Sequence, residues 1–196
     1  STLFPYTTLF RSSYVADDAD LDSCENHGDI TAIAMDDFKG GLILGGVSAG
    51  TYVFKDVKLD HSLNTGAITF VDSTSLILKT IMLGGVAGRA NVSSSRNEGD
   101  VKIVLADSSK NYGMVEDFMV GGVAADSRNT FDCVNKGNIY GLGVIGGVVA
   151  NSQDSIDRVV NYGRIEVLGV NHKNGSTGGI ARSEERRVGK SVDLGG

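Results

Sequence analysis

Short stretches in which apolar and polar residues alternate recur along the chain, and each of them follows an Asn-x-Gly motif. Residues with a period of two point to opposite faces of a strand, so each stretch predicts a short strand with one buried face. Between these stretches the chain repeats Gly-Gly-Val or Gly-Gly-Ile, which predicts a second strand where backbone passes close to backbone. The alternating stretches are residues 30–34, 68–71, 101–105, 139–142 and 165–168.

The two motifs alternate strictly, with five copies of each at a period of 25 to 39 residues. Such a period indicates stacked repeats rather than a globule with one core. With two or three strands per repeat, stacked about 4.8 Å apart, the chain is predicted to be all-β: a β-solenoid, parallel β-helix-like, of about five irregular repeats. A sandwich of hairpins is the alternative, but it does not predict glycine pairs at a fixed phase. The first motif begins at Asn26, Asn64, Asn97, Asn135 and Asn161, and the second at Gly45, Gly84, Gly121, Gly146 and Gly178.

The Asn-x-Gly motif predicts a turn, in which glycine supplies a positive φ and asparagine bonds to nearby backbone. Two residues before each asparagine stands a small residue, which predicts an inward position at a narrow corner. Long helices are not expected; the one candidate is residues 107–118, where Gly113 weakens it. The small residues are Cys24, Ser62, Ser95, Cys133 and Val159.

The two ends of the chain mirror each other at the level of DNA. If residues 4–12 are written in suitable codons, the reverse complement encodes residues 182–190, nine residues out of nine. The shared segment resembles a translated sequencing adapter, so residues 1–12 and 182–196 are expected to be artefactual tails. Residues 13–181 are then predicted to form one repeat domain, with other domains of the same polypeptide attached.

Composition and charge exclude several classes of function. The predicted tails contain five of the 18 Lys and Arg residues and three of the 24 Asp and Glu residues, which leaves the domain a net charge of −8. Nucleic-acid recognition needs a basic face, so no nucleic-acid partner is expected. No apolar run approaches the roughly 18 residues of a transmembrane helix. Gly makes up 27 of 196 residues, which favours strands and tight turns over helices.

The pattern Cys-x-Asn-x-Gly-x-Ile at residues 24–30 and 133–139, with Gly-Gly-Val-x-Ala between copies, resembles the GLUG-type repeats of bacterial secreted and cell-surface proteins. The resemblance covers residues 22–181, although three of the five repeats lack the cysteine. It implies an extracellular or cell-surface β-helical stalk or adhesin-like module. In some immunoglobulin-cleaving metallopeptidases such repeats flank the catalytic region, but no His-Glu-x-x-His motif occurs in this chain.

Neither the cysteines nor the histidines form a recognisable site. Cys24 and Cys133 stand at equivalent positions three repeats apart, about 14 Å or more. A disulfide needs Cα atoms within about 7 Å, so two free, buried thiols are predicted. His27, His61 and His172 lack zinc-site spacing, and His27 is expected to be a solvated turn residue. No metal is predicted.

Acidic residues are concentrated at residues 17–22. Asp18, Asp20 and Asp22 match positions 1, 3 and 5 of a calcium loop, but Ser23 replaces the required glycine and Asp29 the final glutamate. A solvated acidic edge is therefore favoured. Two carboxylate pairs would suit glycoside chemistry, but they fall at different phases of the repeat, which favours solvated loops. These pairs are Asp36 with Asp37 and Glu116 with Asp117.

The Gly-x-Gly-x-x-Gly spacing at residues 141–146 fits a dinucleotide fingerprint, but no βαβ unit surrounds it, so it is interpreted as repeat glycines. The sequence therefore predicts no catalytic residue and no cofactor. It favours a non-enzymatic structural and adhesion module, a stiff stalk whose variable loops contact a host protein or a glycan. The alternative is an accessory β-solenoid of a larger secreted enzyme, a metallopeptidase or a polysaccharide-active enzyme. The loop aromatics that motivate binding are Tyr52, Phe54, Tyr112 and Phe118.

The repeat architecture also predicts how the isolated chain behaves. Stacked repeats need polar capping units at both ends. No capping repeat is recognisable in this chain, so exposed strand edges and end-to-end association are expected.

Overall fold

A computed structural model of the chain describes residues 19–35, 41–50, 57–73, 80–105, 117–168 and 176–183. Every regular element in these residues is a β-strand, and no helix occurs among them. The paired strands run parallel to one another. The predicted all-β class is confirmed.

Within the described ranges the strands form four sheets. Sheet 1 has eight strands: β1 (Asp20–Asp22), β5 (Ser48–Gly50), β6 (Lys58–Asp60), β10 (Ala87–Arg89), β11 (Asn91–Ser93), β15 (Ala124–Phe131), β19 (Val149–Asp157) and β23 (Ala181–Ser183). Sheet 2 has five: β2 (Glu25–Asn26), β7 (Leu63–Asn64), β12 (Arg96–Asn97), β16 (Val134–Asn135) and β20 (Val160–Asn161).

Sheets 3 and 4 also have five strands each and face each other across the larger part of the core. Sheet 3 contains β3 (Ile30–Ala34), β8 (Ile68–Asp72), β13 (Val101–Leu105), β17 (Ile139–Gly141) and β21 (Ile165–Val167). Sheet 4 contains β4 (Leu42–Gly45), β9 (Thr80–Gly84), β14 (Asp117–Gly121), β18 (Val144–Gly146) and β22 (Ser176–Gly178).

Equivalent residues of successive repeats are direct neighbours in the sheets. In sheet 2 each motif asparagine pairs with the asparagine of the next motif. In sheet 4 the first glycine of each Gly-Gly pair stands opposite its counterpart. The first residue of each sheet 3 strand does the same. The register therefore follows the two sequence motifs.

Each repeat contains more strands than the two or three predicted. The first runs through β1, β2, β3, β4 and β5, so the chain passes sheet 1 twice, at the start and at the end. The prediction is wrong because a residue with positive φ turns the chain between sheets 1 and 2 and leaves a two-residue strand, too short to show alternation. These corner residues are Ser23, His61, Ser94, Asp132 and Arg158.

Large apolar side chains fill the space between sheets 3 and 4, where Phe70, Ile81 and Phe118 are almost completely buried. A second cluster lies against sheet 1 and uses smaller residues, among them Val92 and Cys133. Burying one large apolar side chain contributes about 1.5–3 kcal/mol. The largest apolar side chains of the described residues therefore lie mainly between sheets 3 and 4.

Two predicted boundaries can be compared with the strands. The backbone of β23 pairs with β19 as far as Ser183, two residues past the predicted domain end at Ala181. Residues 107–116 of the helix candidate lie outside the described residues, and Asp117 begins a strand.

Candidate functional site

The asparagine that begins each Asn-x-Gly motif belongs to a ladder of side chains inside the fold. Each ladder asparagine donates one Nδ2–H to the carbonyl oxygen of its own motif glycine at 2.7–3.0 Å. The first four donate their other Nδ2–H to the Oδ1 atom of the next asparagine at 2.7–2.8 Å. Asn64, Asn97 and Asn135 are 0% exposed, so these bonds satisfy amides that water cannot reach.

The glycine of Asn-x-Gly is required for close packing and not for a positive φ. The prediction of a positive φ there is wrong, since the described glycines with that conformation are Gly50 and Gly143. From the second motif onward, a Cβ atom on this glycine would lie within 3.0 Å of the carbonyl oxygen of the motif glycine one repeat earlier, which real Cβ atoms do not tolerate. The glycines fixed by this contact are Gly66, Gly99, Gly137 and Gly163.

In the first four Gly-Gly pairs the second glycine lies directly against the asparagine ladder. A Cβ atom on Gly85 would clash with the side chain of Asn97, and one on Gly122 would clash with Asn135. Both would also strike the carbonyl oxygen of the equivalent glycine in the next repeat. A side chain at the second glycine would overlap both the asparagine amide and the backbone of the next repeat, which explains why the glycine pair recurs together with the asparagine motif.

A second set of side-chain bonds runs along the outside, at the residue after each motif glycine. The Oδ1 atom of Asp29 accepts the Ala67 N–H at 2.7 Å, and that of Asp100 accepts the Asn138 N–H at 2.9 Å. Asn138 Oδ1 in turn accepts the Arg164 N–H at 3.1 Å. Successive repeats are therefore tied together by side chains on both the inside and the outside of this turn.

Charged side chains collect at the corner between sheets 1 and 2. Arg158 donates hydrogen bonds to both oxygens of Asp132, at 2.6 and 2.8 Å, and pairs with Asp157 as well. The Arg158 guanidinium lowers the pKa of the Asp132 carboxyl, and the same contact raises the pKa of Arg158. Because these side chains are exposed, the pairing contributes little to stability.

His61 lies at the same corner between two carboxylates. Its Nδ1 atom is 3.2 Å from Asp22 Oδ1 and 3.3 Å from Asp60 Oδ2, and the three residues bring potential ligand atoms within 4.8 Å of one another. Zinc accepts these donor types. Burial raises the pKa of Asp60, but hydrogen bonds from Ser93 and Ser94 and the charge of His61 outweigh it and lower the pKa. Sequence reasoning missed this cluster because stacking, not sequence spacing, brings Asp22 to His61.

A buried ion pair connects three strands of sheet 1. Arg89 Nε donates to Asp126 Oδ2 at 2.9 Å, and Asn151 Nδ2 donates to Asp126 Oδ1 at 3.0 Å. Asp126 is 1% exposed, and both of its oxygens are bonded, as a buried carboxylate requires. No motif marks these residues in the sequence; they meet because they occupy one register position.

Both cysteines are free thiols, as predicted. Cys133 is buried, and its thiol donates to the carbonyl oxygen of Phe131 at 3.1 Å. Burial raises the pKa of Cys133 to about 11, so its reactive thiolate form is suppressed. Cys24 is half-buried rather than buried, because it lies beside β2, the edge strand of sheet 2.

Of the acidic residues in the calcium-loop pattern, the structure describes Asp20, Asp22 and Asp29 but not Asp18. Asp20 and Asp22 are exposed residues of strand β1, and Asp20 lies 3.7 Å from Lys58 Nζ. Asp29 instead bonds to the next repeat. Asp20 and Asp22 are thus exposed to solvent, and Asp22 also belongs to the cluster with Asp60 and His61. The other acidic residues singled out, Asp17, Asp18, Asp36, Asp37 and Glu116, lie outside the described residues.

His27 and the Gly-x-Gly-x-x-Gly segment match their predicted interpretations. His27 is an exposed turn residue whose Nε2 atom is 2.8 Å from Glu25 Oε2 and whose Nδ1 atom is 3.0 Å from Thr65 Oγ1. Residues 141–146 lead from β17 through a positive φ at Gly143 into β18. This segment joins two strands, whereas a dinucleotide fingerprint opens a helix.

One predicted contact residue is in the core. Phe118 was expected in a variable loop, but it lies in β14, is 1% exposed and packs between sheets 3 and 4. The prediction is wrong because strand β14 begins at Asp117, four residues before the Gly121-Gly122 pair that was used to locate it. Tyr162, which no prediction singled out, is 72% exposed. Three other aromatic residues and one histidine lie outside the described residues: Tyr52, Phe54, Tyr112 and His172.

Two further findings bear on the class of protein. In the part of the chain that the structure describes, no helix is long and apolar enough to cross a membrane. No protein-family model, no curated protein and no solved structure matches this chain.

Proposed function

We propose that residues 13–181 form a β-solenoid of five repeats that acts as a non-enzymatic stalk in a secreted or cell-surface protein. The observation that carries the proposal is the asparagine ladder. In this ladder the asparagine side chain of each motif is hydrogen-bonded to the asparagine of the next repeat. Parallel pairing of equivalent residues supports the same architecture. Residues selected for stacking make a stiff column, because each repeat is fixed to both neighbours.

The outward positions support a second part of the proposal, a surface that contacts a host protein or a glycan. The middle residue of Asn-x-Gly changes in size and charge from repeat to repeat, while the asparagine and glycine on either side stay the same. A stacked scaffold with varied outward side chains is how repeat proteins present extended binding surfaces. The middle residues are His27, Thr65, Glu98, Lys136 and Tyr162.

Location at the cell surface is tested with an antibody raised against residues 13–181. Intact and lysed cells of the source organism are labelled in parallel, with a cytoplasmic protein as the control for leakage. The proposal predicts labelling of intact cells that brief protease treatment removes. Labelling that requires lysis would contradict a surface stalk.

The non-enzymatic role is tested on the purified chain. We expect no release of reducing ends from acidic or neutral polysaccharides and no cleavage of immunoglobulin. Binding to a glycan array or to immobilised host proteins, without turnover, is the expected result. Turnover that disappears when a single carboxylate is replaced would favour a polysaccharide-active enzyme instead.

A further inference from the structure

We propose that Asp22, Asp60 and His61 bind a zinc ion that joins the first repeat to the second. Asp22 ends strand β1, whereas Asp60 ends strand β6 and His61 is the corner residue that follows it. The ligands therefore come from two consecutive repeats whose strands are paired in register, and they lie at the corner between sheets 1 and 2. The site goes beyond the stalk function proposed above and does not depend on it.

The donor atoms of the three side chains select the kind of ion. An imidazole nitrogen suits zinc and other transition-metal ions, whereas calcium and magnesium take oxygen ligands. Zinc accepts one nitrogen and two carboxylate oxygens, and three protein ligands leave a fourth position for water. The histidine therefore distinguishes this group from a surface cluster of carboxylates alone. We expect zinc binding and no comparable binding of calcium.

The distances between the donor atoms match two edges of a tetrahedral zinc site. With metal–ligand bonds of about 2.0–2.2 Å, two ligand atoms of such a site lie about 3.3–3.5 Å apart. His61 Nδ1 is 3.2 Å from Asp22 Oδ1 and 3.3 Å from Asp60 Oδ2. The donor atoms of the two carboxylates lie within 4.8 Å of each other. The Asp22 side chain is 71% exposed, so its carboxylate can rotate to close the third edge.

The fold holds Asp60 so that one of its oxygens faces the site. Asp60 Oδ1 accepts hydrogen bonds from the Ser93 hydroxyl at 2.9 Å and from the His61 N–H at 3.0 Å. The Oδ2 atom of Asp60 faces the His61 ring. Hydrogen bonds to a ligand carboxylate orient it toward the ion and are typical of metal sites. Ser93 belongs to the third repeat, so three consecutive repeats contribute to the site.

An equivalent corner further along the stack places a positive charge between two carboxylates. There Arg158 bonds to Asp132 and to Asp157, which belong to consecutive repeats. Arg158 and His61 are both corner residues with a positive φ. Arginine carries a permanent charge, whereas an unperturbed histidine is mostly neutral above about pH 7 and then offers a nitrogen lone pair. A zinc ion would therefore supply at the His61 corner the charge that the guanidinium supplies at the other.

The test is isothermal titration calorimetry of zinc chloride into the untagged, chelator-treated full chain near neutral pH. Wild type is expected to bind one zinc ion per chain, and calcium chloride is expected to give no comparable heat. Asp22→Asn, Asp60→Asn and His61→Asn each remove one ligand and should weaken zinc binding at least about tenfold. Asparagine is chosen at position 61 because it tolerates a positive φ. Ser93→Ala removes the hydrogen bond that orients Asp60 and should weaken binding about tenfold.

Two variants outside the site serve as matched controls. Asp20→Asn changes another exposed carboxylate of strand β1. His27→Asn changes another exposed histidine that lies beside a carboxylate, that of Glu25. Both variants should bind zinc as tightly as wild type does. Circular dichroism of every variant checks that the strands are intact.

Thermal unfolding and nitrogen NMR supply a second, independent test. Unfolding separates ligands that come from two repeats, so zinc should raise the melting temperature of wild type but not that of His61→Asn. Zinc should also shift the ring nitrogen signals of His61 and leave those of His27 unchanged.

Three results would overturn the proposal. The first is a folded wild type that binds no zinc at about 1 mM. The second is a set of ligand variants that bind zinc as tightly as wild type does, and the third is calcium bound by these residues in preference to zinc. A folded wild type without zinc binding would leave the proposed stalk standing, so the two failures can be told apart.

Discussion

Removal of one interior ladder asparagine measures how much the ladder contributes to stability. Asn97→Ala deletes three hydrogen bonds: the one accepted from Asn64 and the two donated to Gly99 and Asn135. Asn97 is 0% exposed, so water cannot replace them. At about 1 kcal/mol for each buried hydrogen bond, with a further cost for the orphaned partners, the free energy of unfolding should fall by about 3–5 kcal/mol.

The ladder itself contains a matched control. Asn161 also takes part in three hydrogen bonds, with Asn135 and with Gly163, but it lies half-buried at the end of the ladder. Water can replace many of the hydrogen bonds that Asn161→Ala removes, so the free energy of unfolding of this variant should fall by only about 1 kcal/mol. Both variants are compared with wild type by urea unfolding, followed by circular dichroism. Equal losses, or a loss below about 1 kcal/mol for Asn97→Ala, would refute the account of the ladder.

Three further predictions concern other parts of the stack. Gly99→Ala should prevent folding or destabilise the protein severely, because the added Cβ atom would clash with the preceding repeat, whereas Gly28→Ala should unfold near the wild-type temperature. Similar melting temperatures for the two variants would contradict the packing role of the motif glycine. Cys133 should react with iodoacetamide at pH 8 far more slowly in the folded chain than in urea, because burial raises its pKa to about 11; equal rates by mass spectrometry would show that it is accessible. Arg158 lowers the pKa of Asp132 in the folded chain, so the ion pair stabilises the fold above the ordinary pKa of 3.8, and this stabilisation is lost as the pH falls through the lowered value. Asp132→Asn should therefore make the loss of stability with falling pH less steep. An unchanged acid unfolding profile would show that the pair does not contribute.

The register could be predicted from the sequence because the two motifs recur at one phase. Once Asn26 and Asn64 are recognised as equivalent, parallel stacking of the strands that follow them is the direct consequence. The first four glycine pairs are points of close backbone approach, as predicted. A repeat motif therefore predicts the strand register when its residues contact the equivalent residues of adjacent repeats.

Interactions between unlike residues could not be predicted in this way. Arg89 and Asp126 share a register position but no motif, and Asp22 and His61 meet at a corner whose residues have little in common. Phe118 was misplaced because its strand begins before the alternating pattern is visible. Such features depend on where each strand starts and on the lengths of the segments between motifs.

The most direct test of the stacked architecture is a nuclear Overhauser measurement on the asparagine side-chain amides of labelled protein. The account predicts contacts between the Nδ2 protons of Asn64 and those of Asn97, and between those of Asn97 and Asn135, residues that are 33 and 38 positions apart. These protons should also exchange slowly with solvent, since the side chains are buried. Fast-exchanging amides without such contacts, or cross-strand contacts typical of hairpins, would contradict the parallel stack.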